Sequence, residues 1–213
     1  MNQVEVLVNI FTIENEEIKV LLLKKQTDPF RGYWSIPKTN ANNEDAVYDT
    51  AKNVLLQLGL ENTNIYQYQA ISDFTREDNL HFLSISYVGF LDIIQVKINE
   101  AQTKYEKEWF SIDKLPKMAF NHADIVANNV NFLRNELKKA KVLHLFFPSD
   151  FSLPEIQRVY EKLYDIKIDR RNFRKKFLEN DLLEETGEFT EDSKGRPAKL
   201  YMFKTPLSEI DII

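Results

Sequence analysis

Near the start of the chain apolar side chains recur at every second position: Val4, Val6, Val8 and Ile10 alternate with Glu5, Leu7, Asn9 and Phe11. After Glu14-Asn15-Glu16-Glu17 a second apolar run, Ile18 to Leu23, stops at Lys24-Lys25. A period of two fits extended chain with distinct faces, so the first 25 residues predict a β-hairpin. Asp28-Pro29-Phe30-Arg31-Gly32 then reads as a loop, because proline fixes φ and glycine tolerates unusual backbone angles. From Glu44 to Leu58 the period changes. Val47, Ala51, Val54, Leu55 and Leu58 follow helical spacing, with Asn42 and Asn43 as candidate N-caps and Gly59 just past the end. Strands are predicted at 65–72, 81–90 and 108–111, and a long helix at 124–141 whose basic last turn suits the helix dipole. Beyond Pro148 come two short helices, 153–164 and 170–180, and strands near 183–186 and 199–204.

A chain of 213 residues, 43% hydrophobic and 29% charged, can bury a core in each of two compact units. The expected division is 1–143 and 144–213. A formal net charge of -5 argues against a generic nucleic-acid coat protein, so any DNA contact must be local. The absence of cysteine excludes disulfide scaffolds, thiolate zinc sites and cysteine nucleophiles. Met1 to Ile13 lacks the basic start and continuous apolar stretch of a signal peptide, and no run approaches the roughly 18 apolar residues of a membrane helix. A cytoplasmic protein without a membrane partner is expected.

The segment from Trp34-Ser35-Ile36-Pro37-Lys38 to Gly59-Leu60 resembles the Nudix box, G-x5-E-x7-R-E-u-x-E-E-x-G-u with u apolar, normally preceded by W-x-L-P-G. Trp34, Pro37, Glu44, Val54, Gly59 and Leu60 match without a gap. The chemical residues do not. Arg-Glu of the motif falls on Lys52-Asn53, Glu-Glu falls on Leu56-Gln57, and the glycine position holds Lys38. Lys52 with Leu56, and Asn53 with Gln57, are four residues apart and share a helix face. In active relatives that face carries carboxylates for magnesium, a hard cation that needs anionic oxygen and polarises a pyrophosphate. The resemblance therefore implies a Nudix domain without metal, cofactor or hydrolase activity, kept as a sensor. A later stretch, Trp109 to Pro116 followed by Phe120-Asn121-His122, resembles a pattern of Nudix-derived regulators. Effector contacts expected from the resemblance are Lys25, Arg31, Lys38, Glu44 and Arg76, with cations suited to phosphate and the carboxylate to hydroxyls. His122 reads as a helix-start histidine satisfied by backbone. The rival reading is a divergent pyrophosphohydrolase on nucleoside diphosphate derivatives, drawing carboxylates from Asp73, Glu77, Glu106 or Glu108.

Five cations fall in the seven residues from Arg170 to Lys176, uninterrupted by acid. Phe173 and Phe177 give this helix an apolar stripe, with Leu178 nearby, while Arg170, Arg171, Asn172, Arg174 and Lys175 can project outward. In the major groove arginine reads guanine and asparagine reads adenine. Leu153, Ile156, Val159, Tyr160 and Leu163 describe a preceding helix, joined through 165–169 as a helix-turn-helix. A hairpin tip, Asp192 to Ala198, would place Lys194 and Arg196 on a wing. From His144 to Lys204 basic and acidic residues number 12 each, so charge is sorted by position rather than in excess. The stretch 153–204 resembles the C-terminal domain of Nudix-related transcriptional regulators of the NrtR/AraR type. The implied fold is α+β: an N-terminal Nudix-like α/β/α sandwich with a mixed sheet and a C-terminal winged helix-turn-helix. The implied function is ligand-responsive regulation, as a repressor in sugar or NAD-related metabolism. The implied partners are double-stranded operator DNA, an effector that is a sugar, phosphoribosyl compound or nucleotide sugar, and a second copy of the chain in a homodimer.

Overall fold

The computed structural model describes residues 3–42, 44–73, 82–92, 105–190, 197–204 and 207. Two compact units emerge, one of Met1–Thr12 with Lys19–Phe132 and one of Ile13–Ile18 with Leu133–Ile213.

In the first unit, β1 (Gln3–Glu14) is the strand that the early alternation describes, but both of its faces are covered. Val6, Val8 and Ile10 pack in one cluster with Ala51, Val54 and Leu55, while Leu7 and Phe11 of the opposite phase are also buried. This explains why apolar residues occupy both phases, as in strands sandwiched between layers. The sheet runs β3-β2-β1-β6-β5, with β2 at Glu17–Lys24, β3 at Trp34–Ser35, β5 at Asn64–Asp73 and β6 at Phe82–Phe90. β4 (Lys38–Asn40) pairs β1 antiparallel, and β7 (Lys107–Ser111) pairs β2. β1 and β6 are parallel, from Gln3↔Phe82 to Phe11↔Phe90, whereas β5 and β6 are antiparallel, so the sheet is mixed.

Helix α1 (Val47–Gln57) covers one face. Its N-cap is Ala46, without a side-chain cap bond. Asn42 instead builds the preceding turn, its Oδ1 accepting the N–H groups of Glu44 and Asp45, and Asn43 lies outside the described residues. At the other end Gly59 has φ +70. Leu60 N–H donates to Leu55 O at 2.9 Å and Gly59 N–H to Leu56 O at 3.1 Å, the paired bonds of a Schellman cap. The Gly-Leu pair of the sequence motif is therefore a helix stop. On the other face stands α2 (His122–Glu136), whose Asn129 donates to Ser86 Oγ at 3.1 Å, and Asn9 reaches the same oxygen at 3.3 Å.

The expected single helix over 124–141 is two. α2 ends at Glu136, Lys139 is extended, and α3 (Ala140–Phe146) begins after it. The break has a physical cause within the second unit. Tyr160 and Tyr164 donate their hydroxyls to Leu137 O and Arg134 O, carbonyls that a continuing helix would occupy with its own N–H groups. Lys138 and Lys139 are thus in a connection, and Lys141 is in the first turn of α3 rather than a last turn. The second unit continues with β8 (Phe151–Ser152), α4 (Leu153–Tyr164), α5 (Arg170–Glu179), β9 (Leu183–Phe189) and β10 (Lys199–Phe203). Its sheet order is β8-β10-β9. No described helix is long and apolar enough to cross a membrane.

Candidate functional site

Ser152 caps α4 by accepting the Glu155 N–H at 3.3 Å, and Asp165, left-handed at φ 51, ends it. The turn to α5 is held by α4 itself. Glu161 Oε1 accepts the Ile168 N–H at 2.9 Å and a Gln157 Nε2–H at 3.2 Å, and Gln157 also donates to Ile168 O. The Ile168 bond, assisted by Gln157, holds the Glu161 carboxyl below its ordinary pKa. Asp169 then caps α5 by accepting the Asn172 N–H at 2.8 Å.

Phe173 and Phe177 of α5 are buried, their rings 4.8 Å apart, and Phe173 meets Tyr160 edge-on at 5.9 Å. Anchoring the helix on that stripe leaves Arg170, Arg171, Asn172, Arg174, Lys175 and Lys176 exposed. Arg174 donates to the Tyr201 hydroxyl at 3.2 Å, and Lys175 pairs with Glu179 at 3.5 Å. Leu178 is 41% exposed and does not extend the core stripe, because 100° per residue turns it off the face of Phe177. β9 and β10 form the hairpin, closed by Thr190 N–H to Ala198 O at 2.9 Å. Lys194 and Arg196 fall outside the described residues.

In the first unit the face of α1 that the Nudix pattern reserves for metal carries Asn53, Leu56 and Gln57, all exposed, with Leu56 at 61%. Gln57 Oε1 accepts the Tyr105 hydroxyl at 3.0 Å, and Lys52 turns to Glu61 O and Thr63 O at the helix C-terminus. Among the described residues no group of three or more His, Asp or Glu side chains is placed to hold a metal. Amides and an alkyl group do not fit magnesium, which takes charged oxygen.

Lys25 and Lys38 converge, whereas the other expected effector contacts do not join them. Phe120 lies between them, with Lys38 Nζ at 4.8 Å and Lys25 Nζ at 5.8 Å from its ring centroid. Lys38 also pairs with the buried Glu5 carboxylate, to which Ser84 Oγ donates at 3.3 Å. Lys25 donates to Thr27 O and Oγ1, and its pKa is lowered by desolvation first and the Lys38 charge second, with Asp28 opposing. Arg31 reaches Asp28 at 3.8 Å, Glu44 is exposed ahead of α1, and Arg76 lies outside the described residues. Phe30 (φ 67) and Phe120 (φ 53) both take left-handed backbone, a strain of about 1–3 kcal/mol each that clusters at functional sites. His122 is buried and its Nδ1 accepts the Ile36 N–H at 3.1 Å, a backbone partner as expected. Phe30, Tyr33, Lys117 and Phe120 were not among the expected contacts. Phe120 had a signal in the Phe120-Asn121-His122 motif, but its lysine neighbours come from residues far upstream.

Comparison with known proteins places these features. Residues 142–203 match the family model of the NrtR DNA-binding winged helix domain. The crystal structure of Shewanella oneidensis NrtR complexed with a 27mer DNA superposes with a TM-score of 0.78 at 24% identity, covering 94% of this chain and 93% of that one. The chain has the two-domain fold of the NrtR-type regulators. The matched residues hold α4, α5 and the β9–β10 hairpin. Among curated relatives, the ADPR responsive transcriptional repressor NtrR of Acinetobacter baylyi is 23% identical over 201 residues, covering 91% of this chain and 79% of that protein. An ADP-ribose pyrophosphatase of Methanocaldococcus jannaschii is 28% identical over 118 residues, 54% of this chain and 67% of that protein. The similarity to an NrtR-type regulator thus spans both units of the chain.

Proposed function

We propose that this chain is an effector-responsive transcription regulator, in which a homodimer of winged helices binds double-stranded operator DNA and a Nudix-like domain holds a nucleotide sugar without hydrolysing it. The observation that carries this reading is α5: a helix anchored by two buried phenylalanines and displaying Arg170, Arg171, Asn172, Arg174 and Lys175 to solvent. Guanidinium and amide groups on a groove-sized helix suit guanine and adenine edges. Lys194 and Arg196 are assigned to the wing, where arginine favours a narrow minor groove. Lys25 and Lys38 are assigned to the effector, with Arg31, Glu44 and Arg76 as further contacts. The relative described as ADPR responsive makes ADP-ribose the first effector to test. A coupling of about 1–3 kcal/mol would change operator affinity several-fold to about a hundredfold.

Fluorescence anisotropy on duplexes from upstream of neighbouring genes tests the reading. Saturable binding that responds to ADP-ribose and is lost in an Arg171→Ala, Asn172→Ala variant is the expected result, and binding indifferent to those changes overturns it. The methanogen relative favours one rival, a divergent pyrophosphohydrolase. Its candidate carboxylates are dispersed: Glu106 pairs with Lys24 at 2.6 Å, Glu108 is exposed on β7, and Glu77 is outside the described residues. Release of AMP from ADP-ribose by the unaltered chain with magnesium would establish that rival.

A further inference from the structure

We propose that the lysine-lined aromatic corner formed by Lys25, Lys38, Lys117, Phe30, Tyr33 and Phe120 is the anion subsite of the effector pocket, taking the phosphate groups of a phosphorylated ligand with its planar or sugar part against the rings. This rests on the sensor reading above and names the chemistry that the sensor recognises.

Rings and cations meet here. Phe30 contacts Tyr33 at 5.5 Å and Phe120 at 4.9 Å between centroids, and Lys117 Nζ stands 4.5 Å from the Tyr33 centroid. Of the acids beside the cluster, Glu5 is paired with Lys38, and Asp28 lies within reach of Arg31 and also attracts the Lys25 charge. Lys38 is the ammonium group on that buried carboxylate, while Lys25 and Lys117 stand against the rings of Phe120 and Tyr33. Like charges held together repel, and an anion that bridges them removes the repulsion. The Lys25 pKa is lowered first by desolvation and second by the Lys38 charge, with Asp28 opposing, so the repulsion is one part of the shift.

Two further observations show that the corner is built rather than incidental. Phe30 and Phe120 both adopt the left-handed backbone region, which disfavours bulky side chains, and they do so at the contact of their two rings. The loop carrying Phe30 is closed by Lys25 N–H to Tyr33 O and Gly32 N–H to Lys25 O, each 2.8 Å, so Lys25 is fixed at both backbone groups. Lys38 occupies the position where the Nudix pattern has glycine. Its ammonium group is an addition of this chain at the place where the pattern leaves the backbone bare. A free sugar would gain nothing from that charge, whereas a phosphate or diphosphate would accept charge-assisted hydrogen bonds from it.

Isothermal titration of the full chain with ADP-ribose, inorganic pyrophosphate and ribose tests the assignment. The variants are Lys25→Gln, Phe120→Leu, and Lys38→Gln combined with Glu5→Gln so that no buried carboxylate is left alone; melting curves verify that each folds. The expected result is ADP-ribose binding weakened about tenfold or more by each lysine change, weakened also by Phe120→Leu, and no binding of ribose. Undiminished ADP-ribose binding by Lys25→Gln and by the double variant overturns the subsite while leaving the sensor reading in place. If pyrophosphate binds in a Lys25-dependent way and ADP-ribose does not, the subsite stands and the nucleotide-sugar effector falls. Binding of neither overturns both.

Discussion

The Glu161 carboxylate has one task, to hold the turn that aims α5, and its chemistry makes that task sensitive to pH. The Ile168 N–H and the Gln157 amide favour the ionised form, so the folded pKa lies below the unfolded one. Its contribution to stability is therefore complete above the ordinary carboxylate value and disappears as pH falls through the folded value. Glu161→Ala should melt below the native chain at neutral pH, with the difference closing in acid; a constant difference would show that the charge is not involved. Tyr160 is subject to a different constraint. Burial pushes its hydroxyl pKa well up, and that hydroxyl donates to Leu137 O. Tyr160→Phe should cost about 1–3 kcal/mol by stranding a carbonyl, read as a lower denaturation midpoint in urea. The sequence displayed the cations exposed on α5 because they lie within one helical stretch. It could not display the meeting of Lys25 with Lys38, which depends on β2 and β4 both pairing β1, or of either with Phe120 at the start of another element.

Helices with their own caps and stripes were readable from the chain alone. α4 has the bounds the spacing predicts, 153–164, because Ser152 starts it and the apolar residues keep one face. β3, β4 and β8 are two or three residues long and exist because a partner strand lies beside them, so no periodicity could announce them. The break between α2 and α3 was hidden for a similar reason, since tyrosines of α4 supply what ends the helix. The exposed face of α1 makes one element-level outcome testable. Asn53→Glu, Leu56→Glu and Gln57→Glu replace solvent-facing groups, so the variant should fold and gain magnesium binding, seen as a magnesium-dependent rise in melting temperature. The unaltered chain should show no such rise. Phe177, fully buried on α5, is the converse: Phe177→Ala should cost about 3–5 kcal/mol and release the helix from its anchor.

For the chain as a whole the charge balance decides how DNA would be held by the proposed regulator. With a net charge of -5, attraction must come from a few cations. Each phosphate neutralised contributes about -0.9 to the slope of log affinity against log salt. Lys175→Ala should make that slope shallower by about 1 if the lysine meets backbone, while Arg171→Ala should relax sequence preference with less change of slope. Titrations between low and moderate salt separate the two.

The hairpin between β1 and β2 carries a last consequence. Its bend, Ile13–Ile18, is counted with the second unit although the strands on either side are counted with the first, and Glu16 in it accepts from Arg158 of α4 at 2.6 Å. The backbone therefore passes into the second unit at Ile13, returns to the first at Lys19 and enters the second again at Leu133. A fragment ending near residue 132 would keep Ile13 and Ile18 while losing the unit to which they belong, and should be prone to aggregate.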